Sequence, residues 1–342
     1  MGRDESGARP TGCVPRPHDD GSMGTMRIWG GLRRPSPPLP GRGSLSTVPR
    51  MPPSPFRLRL AAARRRVADT CRLVADAVTA TRRGLPTIIV AGGMRCGTTS
   101  LFDCLKDHPQ VSPSRRKEVH FFDLQFARGS GWYRRQFAPL RRLPDGTDSR
   151  PLESSPYYMF HPAVPARARE VVPDARIVFL LRDPVERAVS HFRKNVRDGR
   201  EPLPFAEALA AEEDRLAGTA ERLLADPGHV SPAHQYFSYK ARGHYADQLL
   251  RWRRHFPSGQ LLALDAGRMF ADPAATLAEL LPFLGLDPWQ PPTFEVRNAS
   301  RTDVPDDASA IRALESHFEP HQRRLRDLVG WCPRREAAAR AA

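Results

Sequence analysis

Residues 88–101 read IIVAGGMRCGTTSL, and the rest of the fold prediction is built outward from them. The apolar and β-branched run Ile88–Ala91 predicts a short buried strand of a parallel sheet. Gly92 and Gly93 end that strand, and an amphipathic helical pattern begins at Thr98. A helix N-terminus presents unpaired backbone N–H groups and the positive end of its dipole. This strand–loop–helix unit therefore predicts an anion-binding site.

The loop nearly matches the nucleotide-phosphate pattern G-x-x-x-x-G-K-[ST]. Gly92 and Gly97 occupy the two glycine positions, and Thr99 occupies the final hydroxyl position. Thr98 stands where the pattern requires lysine, and the cation of the loop is Arg95. Because that lysine contacts the β- and γ-phosphates, its absence disfavours ATP hydrolysis. A tight turn would explain the glycines alone, whereas Arg95 and the loop hydroxyls favour phosphate binding.

Arginine dominates the charge of the chain. The 342 residues carry a formal net charge of +15, and lysine occurs at only four positions. A GC-rich genome would explain this bias without any function. The functional explanation is affinity for a polyanion: nucleic acid, an anionic polysaccharide or a multiply phosphorylated nucleotide. The charge alone does not distinguish among these partners. The length of the chain allows one large domain or two small ones.

The five cysteines form no C-x-x-C pair, and their odd number argues against a disulfide framework. We therefore expect a reducing, cytoplasmic location. No run of 18 apolar residues occurs, so no transmembrane helix is expected.

Composition divides the chain into four segments. Residues 1–54 are rich in Pro, Gly, Arg and Ser, which predicts disorder, a translated leader upstream of the true start, or a basic arm for an anionic partner. Leucines and valines interspersed with arginines predict a basic amphipathic helix at 55–84, packed on its own domain or lying on an anionic membrane surface. The folded domain is predicted at 85–332 and a tail at 333–342.

Strands and helices alternate through the folded domain. Besides the first strand, strands are predicted from Leu152, at Ala175–Leu181 and at Gln260–Leu264. Helices are predicted at Thr98–Asp107, from Gly131, at His161–Val172, from Pro184, at Gly243–Phe256, at Thr276–Leu284 and at Ser309–Val329. This order predicts an α/β fold of P-loop type, with three layers and a central, mainly parallel sheet flanked by helices.

Two further stretches are placed where they could serve one ligand. Arg182 follows the strand predicted at Ala175–Leu181, so it should lie at the same sheet edge as the glycine loop. Asp183 can cap the next helix, and Pro184 suits its first position. Residues 117–123, KEVHFFD, alternate polar with apolar residues and predict an extended segment at the edge of the pocket. Residues 198–240 predict an insertion with a helical centre.

Three stretches, in this order, carry a resemblance: GMRCGTTSL at 93–101, KEVHFFD at 117–123 and VFLLRDPVERAVS at 178–190. Together they resemble sulfotransferases that use 3′-phosphoadenosine 5′-phosphosulfate (PAPS), in particular the heparan-sulfate and carbohydrate branch with its bacterial members. Looser similarity at 242–245 and 272–286 extends the resemblance over about residues 86–330.

The resemblance implies a set of residues that bind PAPS. The loop would cradle the 5′-phosphosulfate through Arg95, Cys96, Gly97, Thr98, Thr99 and Ser100. Arg182 and Ser190 would hold the 3′-phosphate, and Ser300 and Arg301 would lie in a loop that closes over the donor. The chemistry of the residues agrees, because a dianion favours a guanidinium and a hydroxyl. Taken alone, Arg182 and Ser190 would be explained equally well as a surface arginine and a helix serine.

The resemblance also implies catalytic roles. Glu118 would act as the general base, since a hydroxyl acceptor attacks only as its proton is removed. Arg95 would neutralise charge on the departing phosphate, and His120 with Asp123 would shape the acceptor pocket. The alternative for Glu118 and His120 is a salt-bridged segment beside core phenylalanines. No metal is expected, because no metal-ligand spacing is present and the sulfuryl group carries less charge than a phosphoryl group.

One position departs from the family. Heparan-type enzymes carry a lysine after the glutamate that Glu153 matches, and this chain has Ser154. The departure weakens the transfer of their acceptor class but leaves the donor motifs untouched. Glu153 is a possible second acidic residue, and a structural role is favoured for it.

The predicted function is therefore transfer of a sulfuryl group from PAPS to a hydroxyl or amine of a carbohydrate or glycosylated small molecule. One alternative is a P-loop nucleotide kinase or ATPase, with Asp183 in place of the magnesium carboxylate. The other is a non-catalytic polyanion-binding protein. Nucleic acid is not expected as a partner, because aromatic stacking platforms are absent.

Overall fold

The structure is a computed structural model that describes residues 82–295 and 307–333. The predictions for 1–54, for 55–84 up to residue 81, for Ser300 and Arg301, and for the tail beyond residue 333 lie outside these residues. Within them, no helix combines the length and apolarity needed to cross a membrane. The three cysteines in this part of the chain are free thiols.

A five-stranded parallel sheet forms the centre of the fold. Its strands are β1 (Ile88–Gly92), β2 (Val111–Pro113), β3 (Arg150–Ser154), β4 (Arg176–Leu181) and β5 (Leu261–Asp265). They lie in the order β2-β3-β1-β4-β5, and every neighbouring pair is parallel. The predicted α/β fold with a parallel sheet is confirmed. The short edge strand β2 was not predicted, since three residues are too few to show a periodicity.

Besides three short 3₁₀ helices, thirteen α-helices are found in the described residues. They are α1 (Thr98–Leu105), α2 (Phe121–Leu124), α3 (Gly129–Arg134), α4 (Val164–Val171), α5 (Pro184–Arg197), α6 (Phe205–Ala210), α7 (Glu212–Leu216), α8 (Thr219–Ala225), α9 (Pro232–Tyr236), α10 (Tyr245–Arg253), α11 (Ala266–Ala271), α12 (Pro273–Leu284) and α13 (Ala308–Val329). The helices predicted within residues 82–295 and 307–333 are all present, with bounds shifted by a few residues.

Alternate residues of β1 face two separate hydrophobic clusters. Ile89 packs in a cluster with side chains of α4, α10 and the end of α13. Val90 packs in a second cluster with side chains of α1, α11 and α12. Both residues are fully buried. Helices thus cover both faces of the sheet, which gives the predicted three layers.

The segment at 117–123 differs from its prediction. It is not an extended strand, because Glu118 and His120 have positive φ angles, and Phe121–Leu124 form α2. Phe121 and Phe122 are fully buried, so the aromatic pair is held by packing rather than by strand pairing. Residues 198–240 contain four short helices, α6 to α9, in agreement with the predicted helical insertion. Helix α11 was not predicted.

The helix after β4 begins as the sequence indicates. The Asp183 side chain accepts hydrogen bonds of 3.0 Å from the backbone N–H groups of Val185 and Glu186. Pro184 takes the first helical position, where no N–H is needed. This cap fixes the point at which the chain leaves β4, and with it the position of Arg182.

Candidate functional site

The three predicted site stretches meet at the carboxyl ends of three neighbouring strands. The glycine loop follows β1, and Arg182 follows β4. The segment at 117–123 is tied to the end of β3. The Glu118 N–H donates to the Ser154 carbonyl at 2.9 Å, and the His120 N–H donates to the Ser155 hydroxyl at 3.1 Å. Strands β3 and β4 flank β1, so the topology gathers stretches far apart in the sequence along one sheet edge.

The loop between β1 and α1 is shaped by its backbone. The Gly93 N–H donates to the Leu180 carbonyl of β4 at 2.6 Å, which fastens the loop to the sheet. Gly97 has φ 88°, and a Cβ atom there would lie 2.6 Å from Phe270. Both its conformation and its surroundings therefore require glycine. Gly97 is also the N-cap residue of α1, and it has no side chain to cap the backbone N–H groups of the first turn.

The predicted donor-binding residues of this loop differ in exposure. Arg95, Gly97 and Thr99 are half-buried, whereas Thr98 and Ser100 are buried. Cys96 is fully buried and lies in the hydrophobic core, where burial raises the pKa of its thiol. Its N–H already donates to the Gly93 carbonyl at 3.2 Å. The prediction that Cys96 binds the donor therefore rests on the resemblance alone.

Arg95 links the loop to helix α5. Its Nε donates a hydrogen bond of 3.0 Å to the Ser190 hydroxyl. Burial lowers the pKa of Arg95, and the positive charges of Arg197 and Arg182 lower it further. A guanidinium destabilised by two other guanidiniums marks a region of concentrated positive charge. Such a region would favour a phosphate or sulfate group.

Arg182 is held from two directions. Its Nε and Nη2 both lie 2.9 Å from the Glu186 carboxylate. Its carbonyl accepts a 2.9 Å hydrogen bond from the Tyr245 hydroxyl. Ser190 is thus bonded to Arg95, while Arg182 contributes to the same site through its charge.

Arg197 and Arg187 are residues of α5 that sequence reasoning missed. Arg197 lies seven residues after Ser190, which places both on one face of the helix. This spacing could have identified Arg197 as a candidate site residue from the sequence. Arg187 is fully buried, and its Nη2 donates to the Tyr239 carbonyl. Its Nε and Nη1 have no hydrogen-bond partner within residues 82–295 and 307–333. No sequence pattern distinguishes such a buried arginine from an exposed one.

Glu118 lies between Lys117 and His120 in a row of charged groups. Lys117 Nζ lies 2.8 Å from one carboxylate oxygen, and His120 Nε2 lies 3.4 Å from the other. His120 Nδ1 in turn lies 2.7 Å from the buried carboxylate of Asp123. The side chain of Glu118 is 46% exposed, which leaves it accessible to an incoming molecule.

The row fixes the protonation states of its members. Partial burial raises the pKa of Glu118, but hydrogen bonds and charges from His120 and Lys117 outweigh it and bring the pKa to about 2. Burial lowers the pKa of His120, but the hydrogen bonds that it donates to the Asp123 and Glu118 carboxylates outweigh this effect and raise the pKa to about 10. At neutral pH, Glu118 is therefore a carboxylate and His120 an imidazolium.

Backbone strain is concentrated in the predicted catalytic residues. Within the described ranges, the non-glycine residues with positive φ are Arg95 at 70°, Glu118 at 62° and His120 at 54°. Each such conformation costs about 1–3 kcal/mol, and it persists only where the surrounding structure imposes it. Strain of this kind tends to cluster at functional sites. The same three residues were predicted as catalytic from the sequence.

Glu153 lies beneath the site and has no exposed surface. Its carboxylate accepts hydrogen bonds from the hydroxyls of Ser155 at 2.6 Å, Tyr158 at 2.8 Å and Tyr133. It therefore joins β3 to surrounding aromatic residues, as the structural interpretation expected. The neighbouring Ser154 hydroxyl is buried without a hydrogen-bond partner in the described part of the chain.

Comparison with known proteins matches residues 85–299 to the family model described as "Sulfotransferase domain". Heparan sulfate glucosamine 3-O-sulfotransferase 3B1 of Homo sapiens is 33% identical over 202 residues, 59% of this chain and 46% of that protein. Bifunctional heparan sulfate N-deacetylase/N-sulfotransferase 3 of Homo sapiens is 31% identical over 216 residues, 60% of this chain and 23% of that protein. The chain thus matches less than half the length of these curated relatives.

A solved structure is also similar. The crystal structure of a sulfotransferase from Alicyclobacillus acidocaldarius aligns with a TM-score of 0.56 and 28% sequence identity. The alignment covers 72% of this chain and 97% of that one. The similarity therefore extends across nearly the whole of the solved domain.

Proposed function

The chain belongs to the sulfotransferase domain family, and from this premise we propose that it transfers a sulfuryl group from PAPS to a sugar acceptor. The observation that carries the proposal is the position of Glu118. An accessible carboxylate, held by its backbone to the end of β3, lies at the same sheet edge as an uncapped helix N-terminus beside β1. A base and an anion site at one edge are what sulfuryl transfer to a hydroxyl needs.

The donor would be held by groups of this chain that favour negative charge. The free N-terminus of α1 and the Arg95 guanidinium would contact the 5′-phosphosulfate. Ser190 and Arg182 would contact the 3′-phosphate, and Arg197 would add to the positive potential around it. PAPS supplies a sulfuryl group on a phosphate leaving group, which departs as 3′-phosphoadenosine 5′-phosphate (PAP).

In the reaction, the acceptor oxygen or nitrogen forms a bond to sulfur while the bond between sulfur and the phosphate oxygen breaks. Glu118 would take the proton that the acceptor loses. Arg95 would neutralise the charge that builds on the departing phosphate.

The low pKa of Glu118 means that its carboxylate has to become more basic before it can accept a proton from the acceptor. A carboxylate with a pKa of about 2 is a weak base, because Lys117 and His120 stabilise its charge. We propose that an acceptor hydroxyl displaces one of these cations when it binds to Glu118. The loss of that contact raises the basicity of the carboxylate only when an acceptor is present.

The acceptor class is taken from the relatives. Two of them are named for heparan sulfate, one as a 3-O-sulfotransferase and one with an N-sulfotransferase activity. We extend the carbohydrate class to this chain, as a hydroxyl or amine of a saccharide or glycosylated small molecule. Ser154 in place of the lysine of heparan-type enzymes argues against assigning heparan itself.

The test is PAP release from PAPS during incubation with a panel of saccharides, with sulfated products identified by mass spectrometry. We expect acceptor-dependent release from the wild-type chain. Glu118→Gln should lower the rate about 10²–10⁴-fold, the contribution of general-base catalysis, while PAP binding is retained. Glu207→Gln, on the exposed surface of α6, is the matched control and should remain active. Failure of the wild-type chain to bind PAP would refute the proposal.

A further inference from the structure

Three histidines converge where the start of α10 meets helix α13. His244 directly precedes α10, and His317 and His321 lie one turn apart on α13. One nitrogen from each ring can be chosen so that all three lie within 4.8 Å of one another. Because 73 residues separate His244 from His317, sequence spacing gave no indication of this cluster.

The contacts within the cluster are close. The Nε2 atoms of His244 and His317 are 2.9 Å apart. The rings of His244 and His321 are stacked, with centroids 3.8 Å apart and planes inclined by 8°. Two facing Nε2 atoms at this distance share one proton, since one must donate while the other accepts. The pair therefore cannot carry both protons along that line.

The rings are suited to the neutral state. Burial and the neighbouring His321 and His317 together lower the pKa of His244 to about 4. Burial and neighbouring cations also bring the pKa values of His317 and His321 below the usual range. Neutral imidazoles are the form that binds a metal ion, because a proton and a metal compete for the same lone pair.

Charged groups around the cluster have both signs. Lys240 acts on His317, Arg187 acts on His244 and Arg324 acts on His321. Asp247 acts on both His244 and His321 with the opposite sign, and it pairs with Arg324 at 2.9 Å. A carboxylate one turn beyond a ligating histidine is suitably placed to orient its ring.

We propose that His244, His317 and His321 form a binding site for a divalent transition-metal ion such as Zn²⁺. Three imidazoles leave a fourth position for water, and nitrogen ligands are typical of zinc, copper and nickel. A metal lies near the plane of each ring that binds it, so two stacked parallel rings cannot both coordinate as they stand. His321 therefore rotates away from His244 when the ion binds.

The position of the site indicates a structural role. The ion would fasten α13 to the residue that begins α10. The next residue, Tyr245, donates its hydroxyl hydrogen bond to the Arg182 carbonyl. The site would thus hold in place the helix that supports Arg182, without taking part in the chemistry at Glu118.

The test uses the full chain, treated with a chelator and then titrated with ZnCl₂ in a calorimeter. We expect one ion per chain with a Kd of about 1 μM or tighter, a value accessible to three imidazole ligands. His317→Gln and His321→Gln should each weaken binding at least tenfold. His255→Gln, a partly exposed histidine after α10, is the matched control and should leave the affinity unchanged. Absence of binding, or equal affinity in a His317→Gln/His321→Gln double variant, would overturn the proposal.

A second measurement applies if a variant does not fold. Co²⁺ added to the wild-type chain should give the intense visible absorption of a four-coordinate, nitrogen-ligated ion, and Zn²⁺ should abolish it by displacement. Only the weak absorption of the hydrated ion would refute the site. The imidazole resonances of His317 and His321 should shift on addition of Zn²⁺, while those of His255 remain in place.

Discussion

The Nε of Arg95 donates a 3.0 Å hydrogen bond to the Oγ of Ser190, which lies 95 residues later in the chain. This bond joins the loop after β1 to the middle of α5. It orients a guanidinium whose neighbours, Arg182 and Arg197, add positive charge. The loop and the helix therefore form one anion site. A substitution in either of them should change the contribution of the other to anion binding.

We predict that Arg95 and Ser190 are coupled in PAP binding. Ser190→Ala should weaken PAP binding about tenfold, because a hydrogen bond that involves a charged group contributes about 1.5–3 kcal/mol. Arg95→Lys should lower kcat by about a hundredfold or more, since an ammonium cannot reproduce the fixed fork of the guanidinium. Calorimetry of PAP binding by both single variants and the double variant measures the coupling.

The expected coupling is about 1 kcal/mol, the range found for residues in direct contact. Ser309→Ala, at the exposed start of α13, provides a serine control with no expected effect on PAP. Strict additivity of the Arg95 and Ser190 effects would contradict the coupling.

The fold was predictable because its strongest signals are local. The β-branched run of β1, the apolar run of β4 and the Asp183-Pro184 start of α5 each identify their own element. The alternation of these elements then leaves few topologies, and the parallel sheet follows. Short elements such as β2 and α11 contain too few residues to show a periodic pattern of apolar residues.

The site was predictable only in part, since its residues are placed by tertiary contacts. Motif similarity identified Arg95, Glu118 and Ser190 as candidate site residues. It could not show that Ser190 bonds to Arg95 rather than to Arg182. Positive φ at Glu118 and His120 is imposed by the bonds to the end of β3, which no local propensity indicates. The cytoplasmic location and the roles of Ser300 and Arg301 stay predictions.

Replacement of Arg182 by alanine should weaken PAP binding at least tenfold. The side chain is 28% exposed and paired with Glu186, so its charge is already oriented towards the site edge. Loss of the guanidinium would also remove the ion pair between Arg182 and Glu186. The Kd of PAP at low salt measures the effect. Arg142→Ala, in an exposed turn, is the control for the loss of one positive charge. Equal affinities of the two variants would show that Arg182 acts through net charge alone.

The ion row at Glu118 should make stability depend on pH in a defined window. The raised pKa of His120 means that its contribution is complete below pH 6.5 and is lost as the pH rises through about 10. The lowered pKa of Glu118 means that its contribution is complete above pH 4.5 and is lost as the pH falls towards 2. The stability advantage of the wild type over His120→Asn should therefore be largest between about pH 4.5 and 6.5.

Asparagine is the suitable replacement because it tolerates the left-handed backbone of residue 120. Thermal unfolding of both proteins from pH 4 to pH 10 measures the difference in Tm. His229→Asn, in a loop after α8, controls for the loss of one histidine. A Tm difference that stays constant up to pH 10 would be inconsistent with the ion row.

Gly97→Ala should destabilise the chain by about 2 kcal/mol or more. The new methyl group adds the cost of a positive φ, about 1–2 kcal/mol, to a contact of 2.6 Å with Phe270. Two matched variants separate these effects. Gly218 has φ 65° with no atom near its Cβ position, so Gly218→Ala should show the conformational cost alone. Gly259 has neither a positive φ nor an atom near its Cβ position, so Gly259→Ala should change the free energy of unfolding little. Urea unfolding of the three variants ranks their losses in free energy of unfolding. Equal losses for Gly97→Ala and Gly218→Ala would show that the contact with Phe270 has no destabilising effect.

The buried carboxyl of Glu153 should make the chain less stable as the pH rises from about 4.5 to about 7. Burial raises its pKa to about 7, and the hydroxyls of Ser155, Tyr133 and Tyr158 only partly counteract it. The folded state then has a higher proton affinity at Glu153 than the unfolded state, so the contribution of Glu153 to stability is most favourable below pH 4.5 and decreases until the folded pKa is passed. Glu153→Gln removes the proton-binding group, and its free energy of unfolding should lack this decrease.

Urea unfolding of the wild type and Glu153→Gln at pH 4.5, 6 and 8 compares the two profiles. Tyr133→Phe removes one donor to the carboxylate and should raise the pKa of Glu153 further, which extends the decrease to higher pH. Tyr236→Phe, a half-buried tyrosine at the end of α9, serves as its control. Parallel profiles for the wild type and Glu153→Gln would show that the carboxyl keeps an ordinary pKa, and that its hydroxyl partners fully compensate its burial.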